Sequence, residues 1–187
     1  MGGGSNPGGS AYSPGDAYVI PTYLRGREGE DRSGGQADRD QQHVQNPMND
    51  RISRDEMMLR IAAVVSLRGT CERASVGAVI ALEGRIISTG YVGAPRGAAH
   101  CTSVGCDLGT HNGCTRTVHA ESNAIAFAAA NGIATRGAEL FCTHSPCREC
   151  AKLIANAGIT RVAYEQEYRD TTGIELLRSV GIPVDQC

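Results

Sequence analysis

Positive charge is scarce in this sequence: 18 Lys and Arg stand against 20 Asp and Glu, for a formal net charge of -2. Without a large positive field the chain is not expected to hold a polyanionic duplex or a tRNA, and a small substrate carrying one phosphate fits better. Long apolar runs are also missing. None approaches the roughly 20 residues a helix needs to cross a bilayer, so no membrane insertion is expected. No charged leader with an apolar run and a small-residue cleavage site opens the chain. The eight cysteines are therefore read as reduced, metal-binding thiols in the cytoplasm rather than as disulfides. No internal repeat is visible.

What is present is enough apolar residue, 41% of 187, to bury one core. Residues 1–47 are rich in Gly, Ser, Asp and Arg, a composition that cannot offset its ordering entropy by burial, and are expected to form a flexible tail. An apolar island inside it, Tyr18 to Leu24, reads either as a sticky patch or as a docking segment. Residues 48–187 are expected to form the folded domain. Ser53 and Glu56 make a capping box ahead of a helix whose apolar positions are Met57, Met58, Ile61, Ala62, Val64 and Val65. Ser75–Leu82 and Arg85–Tyr91 are β-rich runs joined at Glu83 and Gly84, a hairpin. After an irregular stretch, Val92–Thr117, come a helix over His119–Ala130, a strand over Ala138–Thr143, and a helix over Cys147–Ala157. A strand over Thr160–Tyr164, a helix over Gly173–Ser179 and a last strand over Ile182–Val184 complete the pattern. A hairpin followed by alternating helices and strands implies an α/β fold, a mixed sheet with helices on both faces.

His119 and Glu121, then Pro146, Cys147 and Cys150, carry the chemistry. One imidazole and two thiolates give zinc three ligands and leave the fourth tetrahedral position to water, the mark of a catalytic rather than a structural zinc. A helix N-terminus at Cys147 favours thiolates there. Glu121, two residues from His119, can take the water's proton and return it to the ring nitrogen and the leaving ammonia. A lone Cys-x-x-Cys could instead be a redox pair and a lone His a surface residue. A purely structural zinc, however, has no use for Glu121. His-x-Glu with Pro-Cys-x-x-Cys is the signature of zinc nucleobase deaminases.

From about Ser53 to the C-terminus the chain resembles the deoxycytidylate (dCMP) deaminases of the cytidine deaminase superfamily. The matching runs include VGAVI at Val76–Ile80, GRIISTG at Gly84–Gly90, RTVHAE at Arg116–Glu121 and THSPCREC at Thr143–Cys150. The resemblance implies a three-layer α/β/α fold with a mixed five-stranded sheet. It implies hydrolysis of dCMP to dUMP and ammonia, feeding thymidylate synthesis, by a homo-oligomer that is often a hexamer. It also implies dCTP as activator and dTTP as inhibitor, with Mg2+ accompanying the nucleotide. Two positions depart from the family pattern: Val92 stands where Asn is usual beside the nucleotide sites, and Ala130 where a basic residue is common. Val92 has neither amide donor nor carbonyl acceptor, so one polar contact must be absent or supplied elsewhere. The alternatives are a deaminase of another, modified cytosine nucleotide, or a zinc-binding regulatory module without turnover.

Cys101, Cys106, His111 and Cys114 crowd the irregular stretch, and Cys71 precedes the hairpin. A second, structural zinc would give such a loop fixed geometry. Its expected ligands are Cys71, Cys101, His111 and Cys114, with Cys106 also a candidate; the other reading is free thiols packed as small apolar groups. Cys142 alternates into the core. For substrate, Arg116 is the candidate phosphate partner and Tyr164 and Tyr168 the candidates to border base or sugar, a salt bridge and core packing being the structural alternatives. Asn123 is expected to make a helix-face hydrogen bond or to order an oligomer or effector site.

Overall fold

The computed structural model describes residues 51–109 and 113–187. The expected tail, its Tyr18–Leu24 island and His111 lie outside the described residues.

Helix α1 spans Arg54–Ser66, and Ser53 caps it by accepting the Glu56 amide at 3.0 Å. The box is not reciprocal, because the Glu56 carboxylate turns outward to Arg60 at 2.6 Å. The buried face of α1 is centred on Met58, Leu59, Ala62 and Ala63, which leaves Met57 and Val64 exposed, contrary to the expectation that both would be covered. Strands β1 (Gly77–Leu82) and β2 (Arg85–Tyr91) form the hairpin. Its two turn residues, Glu83 and Gly84, both have positive φ, 50° and 76°. That is the geometry whose twist matches a two-residue hairpin.

The irregular stretch holds a short helix α2 (Cys101–Val104) and two isolated bridges, Gly93 to Val118 and Leu108 to Cys114. Then follow α3 (Ala120–Ala130), β3 (Glu139–His144), α4 (Arg148–Asn156), β4 (Arg161–Gln166), α5 (Thr172–Ser179) and β5 (Val184–Gln186). The five strands form one sheet in the order β2-β1-β3-β4-β5. Its first three strands are antiparallel neighbours, and β3, β4 and β5 run parallel. The sheet is mixed and five-stranded, as expected.

Strand alternation divides the core. Val79, Ala81, Phe141 and Ala163 meet Met58, Leu59 and Ala62 of α1 on one face. Ala78, Ile80, Leu140, Cys142, Val162 and Tyr164 point to the other, against Ala120, Ala124, Ala151, Ile154, Ile174 and Leu177 of α3, α4 and α5. Helix α3 lies close on the sheet because Gly90 of β2 has no side chain: a Cβ there would stand 2.2 Å from the Ala120 carbonyl oxygen. Asn123 adds a 2.7 Å bond from its amide nitrogen to the Tyr91 carbonyl, a helix-to-strand contact. Arg161 ties α1 to the parallel edge through Asp55 at 2.6 Å and Asp185 at 2.7 Å.

Candidate active site

His119 is the N-cap of α3 and Cys147 the N-cap of α4, each with extended backbone, φ -70° and ψ 155° for the first, φ -70° and ψ 168° for the second. Both had been expected as the first helical residues. In the cap position neither side chain makes a capping hydrogen bond to its own helix. There His119 Nδ1 lies 3.4 Å from Cys147 Sγ and 3.4 Å from Cys150 Sγ. These donor atoms all fall within 4.8 Å of one another. Zinc with Zn–N near 2.0 Å and Zn–S near 2.3 Å in a tetrahedron sets ligand edges of roughly 3.5 Å, so the trio fits the ion.

The thiols are tuned to opposite sides. Cys147 is brought down to about 4, first by its bond from Cys150 and, against the pull of burial, by His119. Cys150 is pushed up by Cys147 and by burial. The Ser122 hydroxyl, 3.5 Å from Cys150 Sγ, is a neighbour that the sequence did not single out. The thiolate of Cys147 raises the His119 pKa, burial opposing it. Glu121, in the first turn of α3 and 4% exposed, has its pKa raised by burial, so the site favours its holding a proton.

His119, Glu121 and Cys147 line a cavity of about 270 Å³, together with Thr117, His144 and Tyr168 and the cationic Arg73 and Arg169. Arg169 lies over the Tyr168 ring, 5.6 Å from its centroid. The Tyr168 amide donates to Ser145 Oγ at 2.8 Å, which ties this loop to the segment before Cys147. Tyr168 therefore reaches the cavity, whereas Tyr164 does not. Tyr164 pairs in register with Cys142 and packs with it in the core at 3% exposure. Arg116 also stays outside the lining, and its buried Nε has no partner among the described residues. Arg73 and Arg169 are the cations that sequence reasoning missed, both on loops without a pattern to flag them. Val92 is 4% exposed and, with Ala74 and Val76, gives the cavity an apolar wall.

A second group stands beside it. Cys71, Cys101, Cys106 and Cys114 have their sulfurs within 4.8 Å of one another, with Cys71 to Cys106 at 3.8 Å and Cys101 to Cys114 at 3.6 Å. A tetrahedral zinc held by four thiolates at about 2.3 Å has sulfur edges of roughly 3.8 Å, which this group matches. Cys106, the further candidate, is the fourth member of this group among the described residues. Cys71 and Cys114 also border the cavity, so the two groups share a wall.

The family described as the cytidine and deoxycytidylate deaminase zinc-binding region matches residues 52–166. The chain belongs to that family. Both the His/Cys trio and the four-thiol group fall inside the matched span. ComE operon protein 2 of Bacillus subtilis (strain 168) is 41% identical over 138 residues, covering 73% of this chain and 72% of that protein. The deoxycytidylate deaminase of Mycobacterium phage D29 is 42% identical over 123 residues, 60% of this chain and 94% of the phage protein. Among solved structures, the dCMP deaminase of cyanophage S-TIM5 in complex with dCMP and dUMP superposes with a TM-score of 0.64 at 37% identity, covering 71% of this chain and 95% of that one. The domain is thus a zinc-binding deaminase of the cytidine deaminase fold, and His119 and Cys147 of the trio open onto the cavity that Glu121 also lines. Among the described residues no helix is long and apolar enough to cross a membrane.

Proposed function

We propose that this chain hydrolyses dCMP to dUMP and ammonia, a step that feeds thymidylate synthesis. One observation carries the reading: a buried Glu121 stands beside a three-donor His/Cys group in a cavity that also holds Arg73 and Arg169. The substrate is supported by the phage relative's name and by the cyanophage structure in complex with dCMP and dUMP.

His119, Cys147 and Cys150 would hold the zinc. Bound there, zinc supplies a Lewis acid that makes water a nucleophile near neutral pH. Glu121 takes the proton from the attacking water, passes it to N3 of the pyrimidine, and then delivers a proton to the departing amino group as the bond from C4 to nitrogen breaks. Its burial favours the protonated form, which suits the donating half of this cycle. Arg73 and Arg169 are the partners for the 5′-phosphate, since guanidinium forks match phosphate oxygens. Tyr168 borders the nucleoside.

The four thiols Cys71, Cys101, Cys106 and Cys114 are assigned to a second, structural zinc, which would fix the stretch from Cys101 to Cys114. We take the working enzyme to be cytoplasmic, where the thiols of both groups would stay reduced. Copies of the chain are taken to assemble, as a hexamer in the form the family resemblance implies. Phe127 on α3 and Leu153 on α4, 54% and 45% exposed, are apolar groups such contacts would cover. A second reading, a cytosine nucleotide modified on the ring, is favoured by the apolar wall of Ala74, Val76 and Val92.

The test is product formation by zinc-loaded protein given dCMP, 5-methyl-dCMP, deoxycytidine or CMP. Preferential turnover of dCMP is expected. Faster turnover of the 5-methyl compound would favour the second reading, and no product from any of the four would favour a binding module without turnover.

A further inference from the structure

His144 lines the same cavity as Glu121 and Cys147, yet the reaction as described gives it no work. It closes β3 opposite Gln166, and the next residue, Ser145, is held by a 2.8 Å bond from its amide to the Gln166 carbonyl. Its backbone is therefore fixed by the sheet.

The preceding residue decides which ring nitrogen carries the hydrogen. Thr143 is fully buried, and its Oγ1 accepts the Gly77 amide at 3.2 Å. The hydroxyl hydrogen then needs an acceptor of its own, because a buried unpaired donor is costly. Among the described residues that acceptor is His144 Nδ1, 3.2 Å away. Nδ1 so engaged carries no hydrogen, which places it on Nε2. Burial lowers the His144 pKa and keeps the ring neutral near pH 7. Nε2 has no partner among the described residues and is not among the buried unpartnered atoms, so its N–H opens to the cavity. The relay runs from the Gly77 amide through the Thr143 hydroxyl to the imidazole, and it ends in a preorganised donor.

We infer that His144 binds the substrate, its Nε2–H donating to an acceptor oxygen of the bound nucleotide, and that Thr143 is the positioning residue that sets its tautomer. The inference rests on the deaminase reading above. The oxygen belongs to the base and sugar or to the phosphate, and the probes below separate these.

The experiment measures dCMP and deoxycytidine binding by calorimetry to zinc-loaded Glu121→Gln protein, which holds ligand without turning it over. The same protein is then combined with His144→Leu, His144→Gln or Thr143→Val. His144→Leu is expected to weaken dCMP binding by about two- to tenfold, the worth of one neutral hydrogen bond. His144→Gln, whose amide nitrogen reaches the place of Nε2, should restore most of it. Thr143→Val should weaken binding less, and nitrogen NMR of the imidazole should move from the Nε2–H tautomer to a mixture. A loss confined to dCMP assigns the contact to phosphate, and a loss shared with deoxycytidine assigns it to base or sugar. Zinc content and thermal midpoint report whether each variant is folded. Equal affinity for His144→Leu and its parent, or an Nδ1–H tautomer in the parent, overturns the inference. A parent that binds neither nucleotide overturns the deaminase reading and this inference with it, a result distinct from equal affinities.

Discussion

Replacing Gly90 by alanine should cripple the enzyme without unfolding it. An ideal Cβ at Gly90 would stand 2.2 Å from the Ala120 carbonyl oxygen and 2.5 Å from the Ala124 amide nitrogen, where real contacts do not fall below 3.0 Å. Both obstacles are backbone atoms of α3, so no side chain can swing aside. The helix must retreat by at least about 0.8 Å, an overpacking that costs ~1–3 kcal/mol of stability. That lowers Tm by roughly 2–12 °C in a domain of this size. Ala120 lies between His119 and Glu121, so the retreat carries both. A displacement of about 1 Å in a reacting group costs on the order of 100-fold in rate. The assay is dUMP formation with zinc content and thermal melting measured on the same sample. A 100-fold fall in kcat/KM with zinc retained is expected; a folded Gly90→Ala protein within threefold of the parent would refute the claim that this contact sets the site.

Gly173 makes the matching contact on the other ligand segment, where a Cβ would lie 2.0 Å from the Pro146 carbonyl oxygen and 2.7 Å from the Cys147 carbonyl carbon. Gly173→Ala should therefore weaken zinc retention itself, read by metal analysis after dialysis against a chelator. Cys106→Ser should reduce bound zinc from two ions per chain to one, and a loss of even ~3 kcal/mol of metal-linked folding energy would lower Tm by ~6–12 °C; unchanged stoichiometry would remove the second site. In zinc-stripped protein Cys114 should alkylate first in its cluster. Burial pushes its pKa up, but backbone N–H groups of Arg116 and Asp107 and the neighbouring thiols outweigh that and bring it to about 7, while burial and Cys71 push Cys106 up to about 12. Labelling followed by mass spectrometry should thus rise from below pH 7 toward a plateau above it at Cys114 and stay low at Cys106, and zinc should protect both.

Much of this was legible in the sequence because two periodicities carry it. The five strands and the longer helices stand within about two residues of their expected bounds, a shift typical of helix and strand ends. The trio was legible because three donors and a carboxylate share a spacing that only a catalytic metal explains. Its exact seating was not, since a cap and a first helical residue look alike in sequence and differ only in ψ. Tyr164 was decided by strand parity, which puts it beside Cys142 in the core. Arg73 and Arg169 come from loops, where no period marks which charge turns inward. Five candidate donors crowded around one irregular stretch, and spacing alone does not reveal which four sulfurs or nitrogens close together. A four-residue helix beginning at Cys101 is too short to announce itself.

The central claim is that Glu121 moves protons for a hydrolysis carried out beside the His119, Cys147 and Cys150 group. The most direct measurement is ammonia release from dCMP by zinc-quantified wild-type and Glu121→Gln protein side by side. Wild-type turnover, with full zinc and a loss of at least ~100-fold in the Gln variant, is the predicted result, because an amide cannot relay a proton. Turnover in Glu121→Gln at the wild-type rate, or none in fully zinc-loaded wild type, would contradict it.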